Sequence, residues 1–157
     1  MMSAVRYQWT RRAGLVVVDC DGRDIATLDK SMWGERAGVA IEGRSWEFGK
    51  DGSARTAVPL GGGTPMVARR ASIWSSQWQV GTDGAAYTIA RAGLFTSRLE
   101  VCRDGAVLGT VASSSLWSNR PFLEIDSSVP QTHAVFLLWI AFLVRARASA
   151  SASSTTS

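Results

Sequence analysis

Ala134–Val144 reads AVFLLWIAFLV and carries no polar side chain. Wound as a helix, this run is apolar on every face, and such a helix must be buried in protein or in lipid. Asp126, Ser127 and Ser128 signal its start. Ser128-Val129-Pro130-Gln131 resembles a capping box, and Pro130 suits a first helical turn. Arg145 and Arg147 suit the negative end of the helix dipole, so a helix is expected over residues 129–147. At about 1.5 Å per residue the apolar run spans about 17 Å, whereas a bilayer core is about 30 Å thick. Burial in protein is therefore the expectation, with Phe136, Leu137, Trp139, Ile140, Phe142 and Leu143 as core residues. The alternative is a tail-anchored membrane protein whose cytosolic β-domain is held by residues 129–147.

The preceding sequence supplies material to surround such a helix. Asp21-Gly22, Asp51-Gly52, Asp83-Gly84 and Asp104-Gly105 punctuate it, and Asp-Gly favours tight hairpin turns because both residues tolerate positive φ. Their flanks alternate with period two, as in Trp46-x-Phe48, Trp74-x-Ser76-x-Trp78-x-Val80 and Leu99-x-Val101. With weaker runs near Tyr7, Val39, Met66, Tyr87 and Leu123, about ten to twelve short strands are expected over residues 1–127. No amphipathic helix separates them, which excludes a parallel α/β sheet. A barrel of about eight strands fills itself with side chains, while a wider one leaves a cavity. The expected fold is thus mostly β: a closed antiparallel barrel plugged by the C-terminal helix. Residues 1–147 form one domain, and Ala148–Ser157, ASASASSTTS, reads as a disordered tail.

At 157 residues with a 46% hydrophobic share, the chain has ample material for one core and does not fit general disorder. The N-terminus lacks the apolar stretch of a signal peptide, so a cytoplasmic protein with reduced Cys20 and Cys102 is expected. The net charge of +4 is carried by arginine except at Lys30 and Lys50, and favours weak attraction to phosphates or anionic lipid surfaces.

The pattern Phe95-x-x-x-Leu99-x-Val101-x-x-x-Gly105-x-x-x-Gly109, with Val129-Pro130 ahead of AVFLLWIAFLV, resembles the tubby C-terminal-like superfamily. That superfamily includes tubby proteins, phospholipid scramblases and LURP-one-related proteins. The resemblance implies a closed barrel of about twelve strands around a central helix. It also implies a non-enzymatic protein that binds an anionic phospholipid or another phosphorylated ligand through basic surface residues, and that is cytoplasmic or peripheral at the membrane. No lysine-rich tubby lipid motif is matched residue by residue, and Asp19-Cys20-Asp21-Gly22 is too short for an EF-hand loop.

Arg55, Arg69 and Arg70 flank the glycine-rich loop Leu60–Pro65 and are the candidate ligand-binding residues. Neighbouring strand residues point to opposite faces, so Arg69 and Arg70 cannot both face outward from a regular strand. The loop lacks the Gly-Lys-Ser/Thr ending of a P-loop and reads as a connection. No catalytic residue, metal site or cofactor is expected: His133 is the one histidine, no G-x-S-x-G elbow is present, and no CxxC pair occurs. A small hydrolase of another type stands as a further reading. His133 itself reads as a capping or interfacial residue. Asp19/Asp21 and Glu42/Glu47 are paired carboxylates that turn and solvent-facing positions explain. Trp9, Trp33, Trp46, Trp74, Trp78, Trp117 and Trp139 are read as packing residues, and no nucleic acid is expected as a partner, although Trp with Arg is also the chemistry of single-strand binding.

Overall fold

The computed structural model describes residues 3–29, 36–72, 77–93, 98–113 and 121–154, with 147–154 in backbone only. Twelve strands follow in chain order: β1 (Ala4–Arg12), β2 (Leu15–Cys20), β3 (Arg23–Leu28), β4 (Ala37–Ile41), β5 (Arg44–Asp51) and β6 (Ala54–Pro59). They continue as β7 (Met66–Arg70), β8 (Trp78–Gly81), β9 (Ala86–Arg91), β10 (Leu99–Arg103), β11 (Ala106–Ser113) and β12 (Pro121–Asp126). One helix, α1 (Gln131–Ser154), ends the described chain. Each strand pairs antiparallel with its sequence neighbours, and β12 closes on β1 from Ala4 opposite Asp126 to Gln8 opposite Phe122. This is the expected closed barrel with its C-terminal helix.

Period-two patterning aims alternate side chains inward. Ala37, Val39 and Ile41 of β4 are buried while Gly38 and Ala40 are exposed, and Trp46 and Phe48 continue the inner face on β5. Trp78 and Val80 of β8 do the same. Trp74 and Ser76, read as part of that strand, lie outside the described residues, as do Trp33, Trp117, Lys30 and Phe95.

The turns divide by backbone conformation. Asp21-Gly22 and Asp104-Gly105 have positive φ at both residues, as two-residue type I′ hairpins require. Glu42-Gly43 and Ala13-Gly14 adopt the same conformation without the Asp-Gly signal. At Asp51-Gly52 only the glycine has positive φ. Asp83-Gly84 is a correction to the tight-turn expectation, because neither residue has positive φ. The connection is four residues wide and is closed by Thr82, whose N–H donates to Ala85 O (2.9 Å) and whose hydroxyl donates to the same oxygen (2.7 Å). That hydroxyl also accepts the Ala85 N–H (3.0 Å). Asp83 is thereby left at the tip with its side chain exposed.

Gly109 on β11 answers a different need. A Cβ there would lie 2.4 Å from Glu124 O and 2.8 Å from Ile125 Cα on β12, so the two backbones approach more closely than any side chain allows.

The helix fills the barrel. Every residue from Ala134 to Leu143 is buried, the most accessible of them at 6%. Trp9 of β1 stacks on Phe142 at 4.8 Å between centroids. Phe48 of β5 meets Phe136 edge-on at 5.4 Å and lies 5.2 Å from Trp139. No helix among the described residues is long and apolar enough to cross a membrane. The helix begins at Gln131, three residues after Ser128, and the capping box is not formed: Gln131 Oε1, which would accept the Ser128 N–H, has no hydrogen-bond partner. Its backbone continues to Ser154, through residues 148–154 that the sequence placed in a disordered tail. Its alternating Ala and Ser residues are compatible with helix propagation once buried turns precede them. Residues 155–157 of that tail lie outside the described residues. Arg145 consequently sits inside the helix and not at its end, half-buried, and burial pulls its guanidinium pKa down.

Burial of one large apolar side chain contributes about 1.5–3 kcal/mol, and a domain's net stability is only about 5–15 kcal/mol. Removing α1 should therefore abolish cooperative folding. A chain ending at Ser128 is expected to lose near-UV circular dichroism and any sharp thermal transition; a soluble, cooperatively melting truncation would overturn this. Gly109→Ala should cost about 1–3 kcal/mol in urea denaturation, because two backbones must separate to admit the methyl group.

Candidate functional site

The antiparallel meander sorts residues onto two rims. The helix-start rim carries the β2–β3, β4–β5, β6–β7, β8–β9 and β10–β11 connections together with the entry into α1. The far rim carries the remaining connections.

Arg55, Arg69 and Arg70 flank the glycine loop in sequence, but β6 and β7 carry them to the far rim, away from it. Arg55 is a correction. It lies opposite Ala68 and is 1% exposed, because it shares the inward parity of Ala57 and Pro59. Its guanidinium donates to Ala54 O (3.1 Å) and lies 5.8 Å from the Trp78 ring centroid. It is thus a core residue and not part of an exposed ligand surface.

Arg69 and Arg70 are both exposed despite being neighbours on β7. Arg69 shares the outward parity of Val67. Arg70 has the inward parity of Met66 and Ala68 but is the last residue of the strand, where the interior opens at the rim. Two arginines that were not singled out from sequence join them. Arg91 ends β9, and Arg98, just before β10, accepts the Ala92 N–H through its backbone oxygen (3.0 Å). All four are exposed at the same rim of adjoining strands β7–β10. Asp83 and Asp104 stand at the other rim of these strands, and within the strands the acidic residue is half-buried Glu100. A groove of about 520 Å³ crosses the outer face here, lined by Val67, Arg69, Gln79, Thr88, Cys102 and Asp104.

The helix-start rim holds a second cluster. His133 lies in the first turn of α1 and is buried, at 7% exposed. Its Nδ1 lies 2.9 Å from Tyr87 Oη, and its Nε2 lies 3.1 Å from Asp83 Oδ1. The Asp83 carboxylate can only accept, so Nε2–H donates to it, and in that tautomer Nδ1 accepts the Tyr87 O–H, whose pKa burial pushes up. Helix, β9 and the β8–β9 turn are tied together by this chain of two hydrogen bonds.

Beside it lies a cavity of about 290 Å³ lined by Arg44, Trp46, Thr64, Asp83, Thr132 and His133, among others. Arg44 is the residue that reaches the glycine loop: its Nη2 donates to Gly62 O (2.5 Å), and the guanidinium lies 5.3 Å from the Trp46 ring centroid. Gly63, at φ +130°, leaves room for this contact, since a Cβ would fall 2.8 Å from Arg44 Nη2. Sequence reasoning passed over Arg44, although its place just after the Glu42-Gly43 turn puts it on this rim. The carboxylate pairs play turn and surface roles: Asp19 accepts Gly22 N–H (3.1 Å), Asp21 accepts Arg6 N–H (3.0 Å), and Glu42 lies 3.7 Å from Arg23. Cys20 and Cys102 are free thiols on β2 and β10.

No family model and no curated protein matches this chain. Among solved structures it is similar to the X-ray structure of a protein from Arabidopsis thaliana, with a TM-score of 0.61 and 10% sequence identity. The likeness covers 90% of this chain and 91% of that one, so the barrel and its helix are shared as a whole. At this identity the likeness is one of fold.

The Tyr87–His133–Asp83 chain carries a stability signature. Tyr87→Phe should cost about 1–3 kcal/mol, because it strands a buried imidazole acceptor. A phenol whose folded pKa is raised contributes stability that is complete below its unfolded pKa of about 10 and is lost as pH rises beyond it. Burial also raises Tyr7, with the Cys20 thiol next in effect, so both phenols act in this direction. Urea midpoints should accordingly fall above about pH 10, and the fall should be shallower in Tyr87→Phe. A midpoint independent of pH up to 11 would contradict this assignment.

Proposed function

We propose that this protein is a non-catalytic tubby-like barrel that binds phosphate-bearing ligands, foremost an anionic phospholipid surface, through the far rim of β7–β10. What supports this is the gathering of Arg69, Arg70, Arg91 and Arg98 at one rim, exposed, on strands that are adjacent in the barrel. Guanidinium groups are planar multiple donors suited to phosphate oxygens, and four within one rim present a field no single arginine offers. The half-buried Glu100 leaves that field basic. The family resemblance agrees with this chemistry, and localisation follows from it: a protein that visits a membrane surface without inserting.

Binding of the full-length chain to liposomes tests it. Phosphatidylcholine vesicles doped with phosphatidylserine or a phosphoinositide should bind the protein at low salt and release it as salt rises, while vesicles of phosphatidylcholine alone should not. Each arginine close to an anionic surface contributes about 1 kcal/mol, so Arg69→Ala with Arg70→Ala should weaken binding by about thirtyfold. Arg23→Ala, on the helix-start rim, should leave it unchanged. An absence of binding to every anionic vesicle at low salt removes the lipid assignment, and soluble inositol phosphate then tests the free-phosphate form.

A further inference from the structure

The cavity at the helix-start rim is independent of the arginine rim, and its lining is unusually rich in donors. Trp46 forms part of its wall and is 6% exposed. Thr132 and His133 lie in the first turn of α1, whose leading backbone N–H groups have no partner within the helix. The first helical bond runs from Ala134 N–H to Pro130 O (3.0 Å). No acidic side chain occupies that turn, and the residue before it is Pro130, which has no capping oxygen on its side chain. Arg44 supplies a guanidinium of which the Gly62 carbonyl takes one donor. These groups together call for an anionic acceptor.

Asp83 narrows the choice. Its carboxylate lines the same cavity, with Oδ1 engaged by His133 Nε2–H, which fixes the side chain at the cavity edge and leaves Oδ2 to accept from a ligand. A dianionic phosphate would be repelled there. A monoanion that also carries a hydroxyl or ammonium donor would be received at both ends. The volume of about 290 Å³ lies at the small end of ligand cavities, so the guest is small. We propose that this cavity binds a small carboxylate bearing a hydrogen-bond donor, an amino acid or hydroxy acid, with its carboxylate toward Arg44 and the start of α1, and its donor toward Asp83.

The test is a titration of the full-length, ¹⁵N-labelled protein with L-serine, glycolate, acetate and inorganic phosphate, following the Trp46 indole N–H resonance, assigned through Trp46→Phe. L-serine or glycolate should shift that resonance saturably at millimolar concentration or below. Acetate, lacking the donor, should bind at least tenfold more weakly. Arg44→Gln changes an exposed side chain and should weaken L-serine and glycolate at least tenfold. Asp83→Asn should erase their advantage over acetate. The absence of a saturable shift with either donor-bearing acid overturns the proposal, as does a shift that survives Arg44→Gln or phosphate binding more tightly than both acids. Vesicle binding at the opposite rim is read separately, so either result stands without the other.

Discussion

An eleven-residue run with no polar side chain cannot face water on any side. Enclosing such a helix requires apolar surface all around it, and a sheet that closes on itself provides that without leaving an edge. The barrel and the helix are thus conditions for each other. Twelve strands make an interior wider than their own side chains fill, and Trp139, Phe136 and Phe142 occupy it against Phe48 and Trp9. The pairing of β12 with β1 finishes the wall immediately before the chain turns inward at Val129, so closure and plugging occur at neighbouring points of the chain.

Closure also fixes where chemistry sits. Because strands alternate in direction, residues far apart in sequence meet on one rim, while residues close in sequence are sent to opposite rims. Arg69 and the glycine loop illustrate the second case and Arg44 with His133 the first. Parity then decides inside from outside: one residue separates the buried Arg55 from outward-facing neighbours, and the last position of β7 frees Arg70 from its inward parity. The result is a barrel with two chemically different mouths. One presents guanidinium groups, and the other presents a cavity in which the Arg44 guanidinium and the first turn of α1 lie beside the Asp83 carboxylate.

Much of the architecture was legible because it rests on local rules. Period-two alternation, Asp-Gly turns and an all-apolar helix are properties of short windows, and each reports its element directly. The failures were also local rules, outvoted by neighbours. Asp83-Gly84 has the composition of a tight turn, but Thr82 closes a wider one and delivers Asp83 to His133. Ser128 has the spacing of a cap, but the helix begins only at Gln131, which leaves Pro130 and not Ser128 beside its first turn. Arg55 carries the residue type of a surface site, yet its strand parity turns it inward, where the backbone oxygen of Ala54 receives it.

By itself, then, the sequence determined that strands of this period would have to wrap a helix of this composition, since apolar side chains leave water by the same rule wherever they occur. It determined the excess of arginine too. Only the tertiary structure decided which arginines share a rim, because register and strand length, not proximity in sequence, set that. It alone brought Arg44, Trp46, Asp83 and His133 around one cavity: these residues come from different hairpins and a helix, and nothing in any local window encodes their meeting.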